Sequence, residues 1–406
     1  MSNRNIPKIR FKEFINMWNN YKLGQLGNFK SGIGFSDSQQ GGTEGIPFFK
    51  VSDMNNIGNE TEMRNANNYV TQEQIMKNSW KVINETPAII FAKVGAALML
   101  NRKRLVTKPF LIDNNTMSYS FDESWNKDFG LTLFQTINLP KYAQIGALPS
   151  YNASDIAMIK VNVPNVQEQS AIGSLFRTID DLLASYKNNL ANYQSLKATM
   201  LSKMFPKAGQ TVPEIRLDGF ERKWEKKKLI DLVSPVSRKV KKPSDPYYRL
   251  SIRSHAKGTF KQFVDDPKKI AMDNLFEVKE NDLVVNITFA WEHAIAVASK
   301  EDDGLLVSHR FPTYVIDKSD KNFINIYIKR EEFRQKMDLL SPGGAGRNRV
   351  LNVKDFINIQ MIVPELEEQQ AIGAYFSNLD NLIAAHQEKI TQLETLKKKL
   401  LQDMFI

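Results

Sequence analysis

A segment near the middle of this chain returns at its C-terminus, 200 residues later and without a gap. Residues 163–205 read VPNVQEQSAIGSLFRTIDDLLASYKNNLANYQSLKATMLSKMF, and residues 363–405 read VPELEEQQAIGAYFSNLDNLIAAHQEKITQLETLKKKLLQDMF. Between 161–205 and 361–405, 16 of 45 positions are identical. The repeated unit is larger than this segment. Ile6-Pro7-Lys8-Ile9-Arg10, Phe14, Trp18, Lys22-Leu23 and Leu26 near the start have counterparts 206 residues later. These are Val212-Pro213-Glu214-Ile215-Arg216, Phe220, Trp224, Lys228-Leu229 and Leu232. Asn152 and Asp155 likewise match Asn352 and Asp355. The middles do not align. Two units therefore share a frame and differ inside, which suits one scaffold carrying two specificities.

The repeated segments have the pattern of long coiled-coil helices. In the first, Ile172, Phe176, Ile179, Leu183, Tyr186, Leu190 and Tyr193 follow one another in steps of four and three. In the second, Ile372, Phe376, Leu379, Ile383, His386, Ile390 and Leu393 do the same. Lys197 and Lys397 occupy one polar slot of each series. A 3.5-residue repeat held this long specifies a seam against a partner helix. Each helix follows a proline (Pro164, Pro364), with Glu168-Gln169 or Glu368-Gln369 in its first turn, where acidic side chains suit the helix dipole. From about Glu168 to Met204 such a helix is about 55 Å long. Connectivity predicts two antiparallel helices related by a pseudo-two-fold internal repeat, with the C-terminus near the N-terminus and a globular domain at each end.

The rest of each unit predicts an α+β domain with a small, mostly antiparallel sheet. In the first unit strands are expected at 46–51, 88–92, 96–100, 117–121 and 156–163, with a helix near 128–136. In the second they are expected at 247–252, 283–288, 294–298, 311–316 and 356–363, with a helix near 322–337. The domain reading is 1–163 for the first globular domain, 164–206 for the first spacer helix, 207–363 for the second domain and 364–406 for the second helix.

With 406 residues, 42% hydrophobic and 25% charged, the composition is that of a soluble protein. No apolar run approaches the roughly 20 residues of a membrane helix. Met1-Ser2-Asn3-Arg4-Asn5 lacks the apolar core of a secretory signal, and the cytoplasm is the expected compartment. There is no cysteine, so disulfides and thiolate metal sites are excluded. The four histidines show no ligand spacing. Net charge is +10, which favours a polyanionic partner, nucleic acid first.

Enzyme motifs are absent. There is no phosphate-binding P-loop, no dinucleotide glycine fingerprint after a strand and no nucleophile elbow. Gly32-Ile33-Gly34 is a lone turn. Asp245-Pro246-Tyr247-Tyr248 lacks the second proline of the Asp-Pro-Pro-Tyr loop of amino-methyltransferases. No catalytic residue and no metal site is assigned, and the chain reads as a binder.

The layout resembles the specificity subunit of type I restriction–modification systems. The resemblance is carried by Pro7-Lys8-Ile9-Arg10 with Trp18 and by Pro213-Glu214-Ile215-Arg216 with Trp224 at the unit starts. Val163-Pro164, Glu168-Gln169 and Ala171-Ile172 with their counterparts at 363–372 carry it at the helix starts, and Met204-Phe205 and Met404-Phe405 at the helix ends. It covers the whole chain. It implies two target-recognition domains separated by conserved helices, which read two half-sites of double-stranded DNA around a gap. It also implies two methylation subunits carrying S-adenosylmethionine, and restriction subunits using ATP and Mg²⁺. No cofactor is expected in this chain. Because the interiors differ, the expected site is asymmetric. A coiled-coil adaptor that never touches DNA and a catalytic methyltransferase are the competing readings.

On that basis Lys and Arg would hold phosphates while Arg, Asn, Gln and Ser read base edges. Candidates in the first domain are Lys50, Lys81, Arg102, Lys103, Arg104, Ser150, Tyr151 and Asn152. In the second they are Lys241, Lys242, Arg253, Ser254, His255, Lys257, Arg310, Arg347, Asn348 and Arg349. Foremost is Arg347-Asn348-Arg349, which follows the pliable Gly343-Gly344-Ala345-Gly346.

Overall fold

The computed structural model describes residues 6–144, 148–341, 343 and 349–406. They form two units. One comprises residues 1–189 with 386–406, the other residues 190–385. The first repeat contains β1 (Asn19–Lys22), β2 (Gly27–Ser31), β3 (Ile46–Phe49), β4 (Tyr69–Val70), α1 (Gln72–Lys77), β5 (Ala88–Ala92), α2 (Ala96–Met99), β6 (Lys103–Val106), β7 (Leu111–Ile112), β8 (Thr116–Phe121), α3 (Lys127–Thr136), α4 (Ala153–Ala157), β9 (Lys160–Val163) and α5 (Val166–Lys203). The second contains β10 (Glu225–Lys228), β11 (Ser234–Val236), β12 (Lys239–Lys241), β13 (Tyr247–Ile252), β14 (Thr259–Val264), β15 (Asn274–Glu277), β16 (Asp282–Val285), β17 (Ile295–Val297), β18 (Leu306–Val307), β19 (Thr313–Val315), α6 (Lys321–Tyr327), α7 (Glu331–Leu339), α8 (Val353–Phe356), β20 (Gln360–Val363) and α9 (Leu366–Asp403).

Two sheets are common to the repeats. The antiparallel pair β1–β9 answers to β10–β20, and the four-stranded order β2-β8-β5-β6 answers to β11-β19-β16-β17. The third sheet differs. It is β4-β3-β7 in the first repeat and β12-β15-β18-β13-β14 in the second. The β3–β7 and β13–β18 pairs are parallel, and the other pairings within these third sheets are antiparallel. The central strand of the shared sheet shows why the repeats can differ there. Along β5, Ile89 and Phe91 enter a core with Trp18, Tyr119 and Phe129, while Ala88 and Ile90 enter another with Phe49, Phe110 and Ile112. Along β16, Leu283 and Val285 join the core of Trp224 and Phe376, and Val284 joins that of Leu250 and Val307. Alternation of side chains across the strand thus partitions each repeat into a frame core and a third-sheet core.

Several boundaries depart from expectation. Residues 96–100 form a short helix, with Leu98 its one buried side chain, because Gly95 turns the chain at a positive φ of 77° and helical geometry follows. Residues 156–163 and 356–363 each begin as the end of a helix capped at Asn152 or Asn352, and only their last four residues are strand. The helix expected near 322–337 is two, broken between Tyr327 and Glu331. Both pack on one core through Phe323, Ile324, Phe333 and Met337.

The seam residues of both long helices are buried or half-buried along their length, and most of their neighbours are exposed. In the first unit the start of α5 runs antiparallel to the end of α9. Phe176 meets Phe405 at 5.9 Å, Lys397 bonds Asp180 at 2.6 Å and Lys187 bonds Glu394 at 2.7 Å. Tyr186 lies against His386 at 5.4 Å. In the second unit the end of α5 meets the start of α9 in the same sense, through Phe205 with Phe376 and Lys197 with Asp380. The polar slot of the heptad series is therefore an ion pair made twice, a device that fixes register. Ile9 N–H donates to the Asp403 carbonyl at 2.9 Å, so the C-terminus lies beside the N-terminal segment.

Each helix start is locked by one buried carboxylate. Arg10 donates to both oxygens of Glu168 at 2.7 Å, and Trp18 Nε1 donates to the same carboxylate at 3.2 Å. Arg216 and Trp224 treat Glu368 identically, at 2.8, 2.6 and 3.3 Å. The next residue clamps the neighbouring helix. Gln169 Oε1 accepts from Asn126 N–H at 2.9 Å, and Gln369 Oε1 accepts from Asp320 N–H at 3.2 Å. Gly173 and Gly373 then let these caps close in. A Cβ on Gly173 would stand 2.7 Å from Asn126 Oδ1 and Phe129 N.

Glu168→Ala strips a nearly buried guanidinium of its partner and should destabilise the protein by about 3–5 kcal/mol, with Glu368→Ala matching it in the second unit. Chemical denaturation of the full chain measures both. A loss under about 1 kcal/mol would show that the lock is not structural.

Candidate nucleic-acid interface

The positive charge is unevenly placed. Residues 1–163 hold 18 Lys and Arg against 13 Asp and Glu, and residues 207–363 hold 29 against 22, whereas 164–206 and 364–406 together hold 8 against 10. The whole excess therefore belongs to the two globular parts, and the helix segments are slightly acidic.

Many basic candidates are consumed by the fold. Lys103 lies in β6 and is buried. Its Nζ donates to the Ile137 carbonyl at 2.6 Å and to Asn101 Oδ1 at 2.7 Å, and burial pushes its pKa down to about 7. It is removed from the candidates, since a buried amine cannot meet a phosphate. Tyr151 is removed for the same reason: it is 3% exposed and its hydroxyl bonds the Ala92 carbonyl. Arg349 donates to Asp338 Oδ1 at 2.6 Å and to the Ser341 carbonyl at 2.9 Å, and stacks over Trp291. It fastens a loop and is not aimed at a ligand. Arg347 and Asn348 lie outside the described residues. Arg102 bonds Asn55, and Arg104 bonds the Lys103 carbonyl. Lys242 Nζ donates to the Ile270 carbonyl at 2.6 Å, and Lys50 Nζ donates to Gln40 Oε1 at 3.1 Å. Asn152 caps α4, and Ser150 is half-buried with its carbonyl accepting from Gln144 N–H. Ser254 bonds Glu292, whose carbonyl also accepts from His255 N–H.

Among the described residues, the candidate cations that remain exposed and without an ion pair are Lys81 in the first repeat, and Lys241, Lys257, Arg310 and Arg253 in the second, the last also donating to the Thr259 carbonyl. Most of the second set gathers around one element. β13 and β14 form a hairpin with six paired positions, from Tyr247–Val264 to Ile252–Thr259. β14 is the outer strand of its sheet and is exposed over most of its length. One face of the hairpin sends Leu250 and Ile252 into the core. The other carries Tyr247, Arg249, Ser251, Phe260 and Gln262, and borders a cleft of about 270 Å³ closed by Asn286, Thr288, Phe289 and Arg310. No carboxylate lines this cleft. At the tip Arg253 stacks over Phe260 at 5.1 Å, and Lys257 is exposed.

Arg249 and Gln262 were not identified from the sequence. Each is a single polar residue in a strand, and what marks them is alternation: Leu250 and Ile252 point inward, so Arg249 and Ser251 must point outward. Among the described residues no group of His, Asp and Glu is arranged to hold a metal ion, and no helix is long and apolar enough to cross a membrane.

Comparison with known proteins gives a consistent result. The type I restriction modification DNA specificity domain matches this chain twice, at residues 16–193 and 221–395. The type I restriction enzyme MjaVIII specificity subunit of Methanocaldococcus jannaschii is 22% identical over 269 residues, covering 63% of this chain and 63% of its own length. The putative type I restriction enzyme MjaX specificity subunit of the same organism is 22% identical over 297 residues, covering 66% of this chain and 64% of its own. The matched stretch thus spans under two thirds of either relative. Among solved structures, a type I restriction-modification system S subunit from M. genitalium superposes with a TM-score of 0.60 at 14% identity, covering 99% of both chains. That likeness establishes a common fold.

The burial of Lys103 has a measurable signature. Below about pH 7 the folded state holds a buried ammonium. Above it the amine is neutral, while the unfolded chain keeps its proton up to the ordinary value of 10.5. The unfolded state binds more protons in that window, so stability rises with pH from about 7 towards 10.5. Lys103→Met should remove this rise in unfolding temperature and leave polyanion binding unchanged. A variant that keeps the rise, or that loses nucleic-acid affinity, would put the amine at the surface.

Proposed function

This chain belongs to the type I restriction modification DNA specificity family, and we propose that it acts there as a non-catalytic specificity subunit for a bipartite, asymmetric site in double-stranded DNA. The observation that carries the reading is the pairing of a common frame with unlike third sheets. The same strand pair, four-stranded sheet, carboxylate lock and helix start are built twice, and the sheet beyond them has three strands in one repeat and five in the other. Two copies reading the same bases would have no reason to differ there. The basic excess confined to residues 1–163 and 207–363 supports these as the DNA-facing parts.

In this reading the long helices present a surface to partner subunits. Leu182, Leu196 and Leu396 stay substantially exposed on them, at 42%, 37% and 46%, outside the seam. Two methylation subunits supplying S-adenosylmethionine, and restriction subunits using ATP and Mg²⁺, would complete a cytoplasmic assembly. The chain's own part is to bind, position and space. A target adenine must leave the stack to be methylated, at a cost of a few kcal/mol, and the subunit that holds both half-sites steadies the duplex while that happens.

Methylation mapping in cells expressing this chain with its partner subunits should return two dissimilar half-sites around a constant gap. A palindrome, or a single undivided site, would refute the assignment of one half-site to each repeat. Binding of the same complex to duplex DNA should weaken with salt with a log–log slope of about −0.9 per phosphate contacted. A flat salt response would instead favour an adaptor that does not bind DNA.

A further inference from the structure

We propose that the β13–β14 hairpin of the second repeat enters the major groove of duplex DNA, where Arg249, held by Gln262, reads a guanine of one half-site. This rests on the specificity-subunit reading and gives it a residue and a base.

The ribbon has the shape that the groove takes. The major groove admits a two-stranded β-ribbon, and several DNA readers place strands there. β13–β14 is a ribbon of six paired positions at the free edge of its sheet. Its counterpart in the first repeat, judged by the parallel partner strand, is β3–β4. That pair has only two paired positions, and Phe48 on it is covered by Phe35 at 3.7 Å and by Trp80 at 5.4 Å. The ribbon is therefore the place where two otherwise equivalent repeats part most, and it is open only in the second.

β14 is also an open edge strand. An exposed outer strand is a hazard unless charge or a partner covers it. β14 carries one lysine, Lys261, between two exposed aromatics, Phe260 at 37% and Phe263 at 55%. The cleft it borders has two arginines, no carboxylate and the nine-tenths buried Asn286, whose Oδ1 accepts from Thr288 N–H at 3.1 Å. Cations, amides and aromatic faces without acidic groups suit a polyanion with stacked bases better than an apolar partner, which would leave the charges unmatched.

Donors and acceptors then favour one base. Arg249 Nε donates to Gln262 Oε1 at 3.0 Å, across directly opposed positions. That bond engages Gln262 Oε1, the one acceptor atom of the pair, and turns it toward Arg249. What remains to face outward is the two terminal guanidinium nitrogens and the Gln262 amide nitrogen, all donors. In the major groove guanine offers two acceptors, N7 and O6. Adenine offers an acceptor beside a donor, thymine one acceptor beside a methyl group, and cytosine a donor. A surface led by donors is matched in full by the two acceptors of guanine, and only in half by adenine N7 or thymine O4. Arg253 and Lys257 at the tip, and Arg310 across the cleft, then take phosphates on either side.

The test uses the chain in complex with its methylation subunits and duplexes in which each base pair of the mapped site is replaced in turn. Arg249→Ala should lower discrimination about 5- to 150-fold at one guanine of one half-site, and leave the other half-site and the unfolding temperature unchanged. Arg249→Lys should keep affinity and salt slope but not the guanine preference, because a point charge replaces a fork. Gln262→Ala should relax the same position to a smaller degree. Full discrimination at every position in Arg249→Ala, or an effect spread over both half-sites, would overturn the proposal while leaving the wider reading intact. A wild-type complex with no bipartite preference would overturn both.

Discussion

One buried carboxylate per repeat governs the rest of this structure. Glu168 stands at the start of a 38-residue helix and takes bonds from Arg10 and Trp18, which lie about 150 residues earlier. The entry segment, the β1–β9 pair and the helix are thus closed around a single charge. That charge cannot be left unpaired in a core without a cost of several kcal/mol, so the three elements must arrive together. Trp18 also forms the wall on which Phe405 packs at 6.1 Å. Trp224 does the same for Phe205 at 5.8 Å. The residues bonded to the carboxylate at one helix start thereby form the seat for the end of the other helix, and neither repeat is complete from its own contiguous residues.

The layering that follows lets such a chain tolerate two interiors. The four-stranded sheet sends alternate side chains into separate cores. The frame side contains the lock, the helix seam and the aromatic cluster, and its parts constrain one another. The far side meets the frame chiefly through the sheet, and in the second repeat also through the β13–β14 turn, where Ala256 joins the frame core and its N–H donates to the His293 carbonyl at 2.8 Å. A third sheet can gain strands, as β12 and β15 are added beside β18 in the second repeat, without moving a residue of the lock. Packing density in a core penalises change, and a sheet that isolates one core from the other confines that penalty.

How much of this was visible in the sequence depends on the length of the signal. The heptad series pointed to the helices and their pairing, because an apolar period of 3.5 sustained over many turns fits little besides a paired helix, and connectivity pointed to the antiparallel sense. The Arg, Trp and Glu of the lock were visible as recurring letters, but their meeting was not, since nothing local links Arg10 to Glu168. Lys197 and Lys397 looked like blemishes in an apolar stripe, and they are the ion pairs to Asp380 and Asp180. Short elements were misjudged where an apolar run, such as residues 96–100, is too brief to reveal its period. The basic clusters were least informative. Asn101-Arg102-Lys103-Arg104 reads as one patch, yet a strand separates its members by face and Lys103 goes inside. Charge in a sequence reports residue type, and only the fold decides whether a cation is spent on a carbonyl or left for a ligand.

That distinction bears on specificity. A cation already engaged within the fold, as Arg349 is with Asp338, adds to the net charge without being available to a groove. In the second repeat Arg253 and Lys257 lie in the turn of a ribbon and Arg310 faces it across the cleft, while Arg249 and Gln262 lie in its strands, where spacing is set by strand geometry and not by a loop. Strand residues on one face repeat every second position, about 6.6–6.8 Å apart, and their directions are fixed by the pleat. Reading bases demands such fixed directions, because a bidentate donor fork misaligned with its acceptors loses most of what separates guanine from the alternatives. On the proposed reading, a scaffold whose two halves recognise different sequences gains from placing the reader on the one sheet that the frame leaves free to vary.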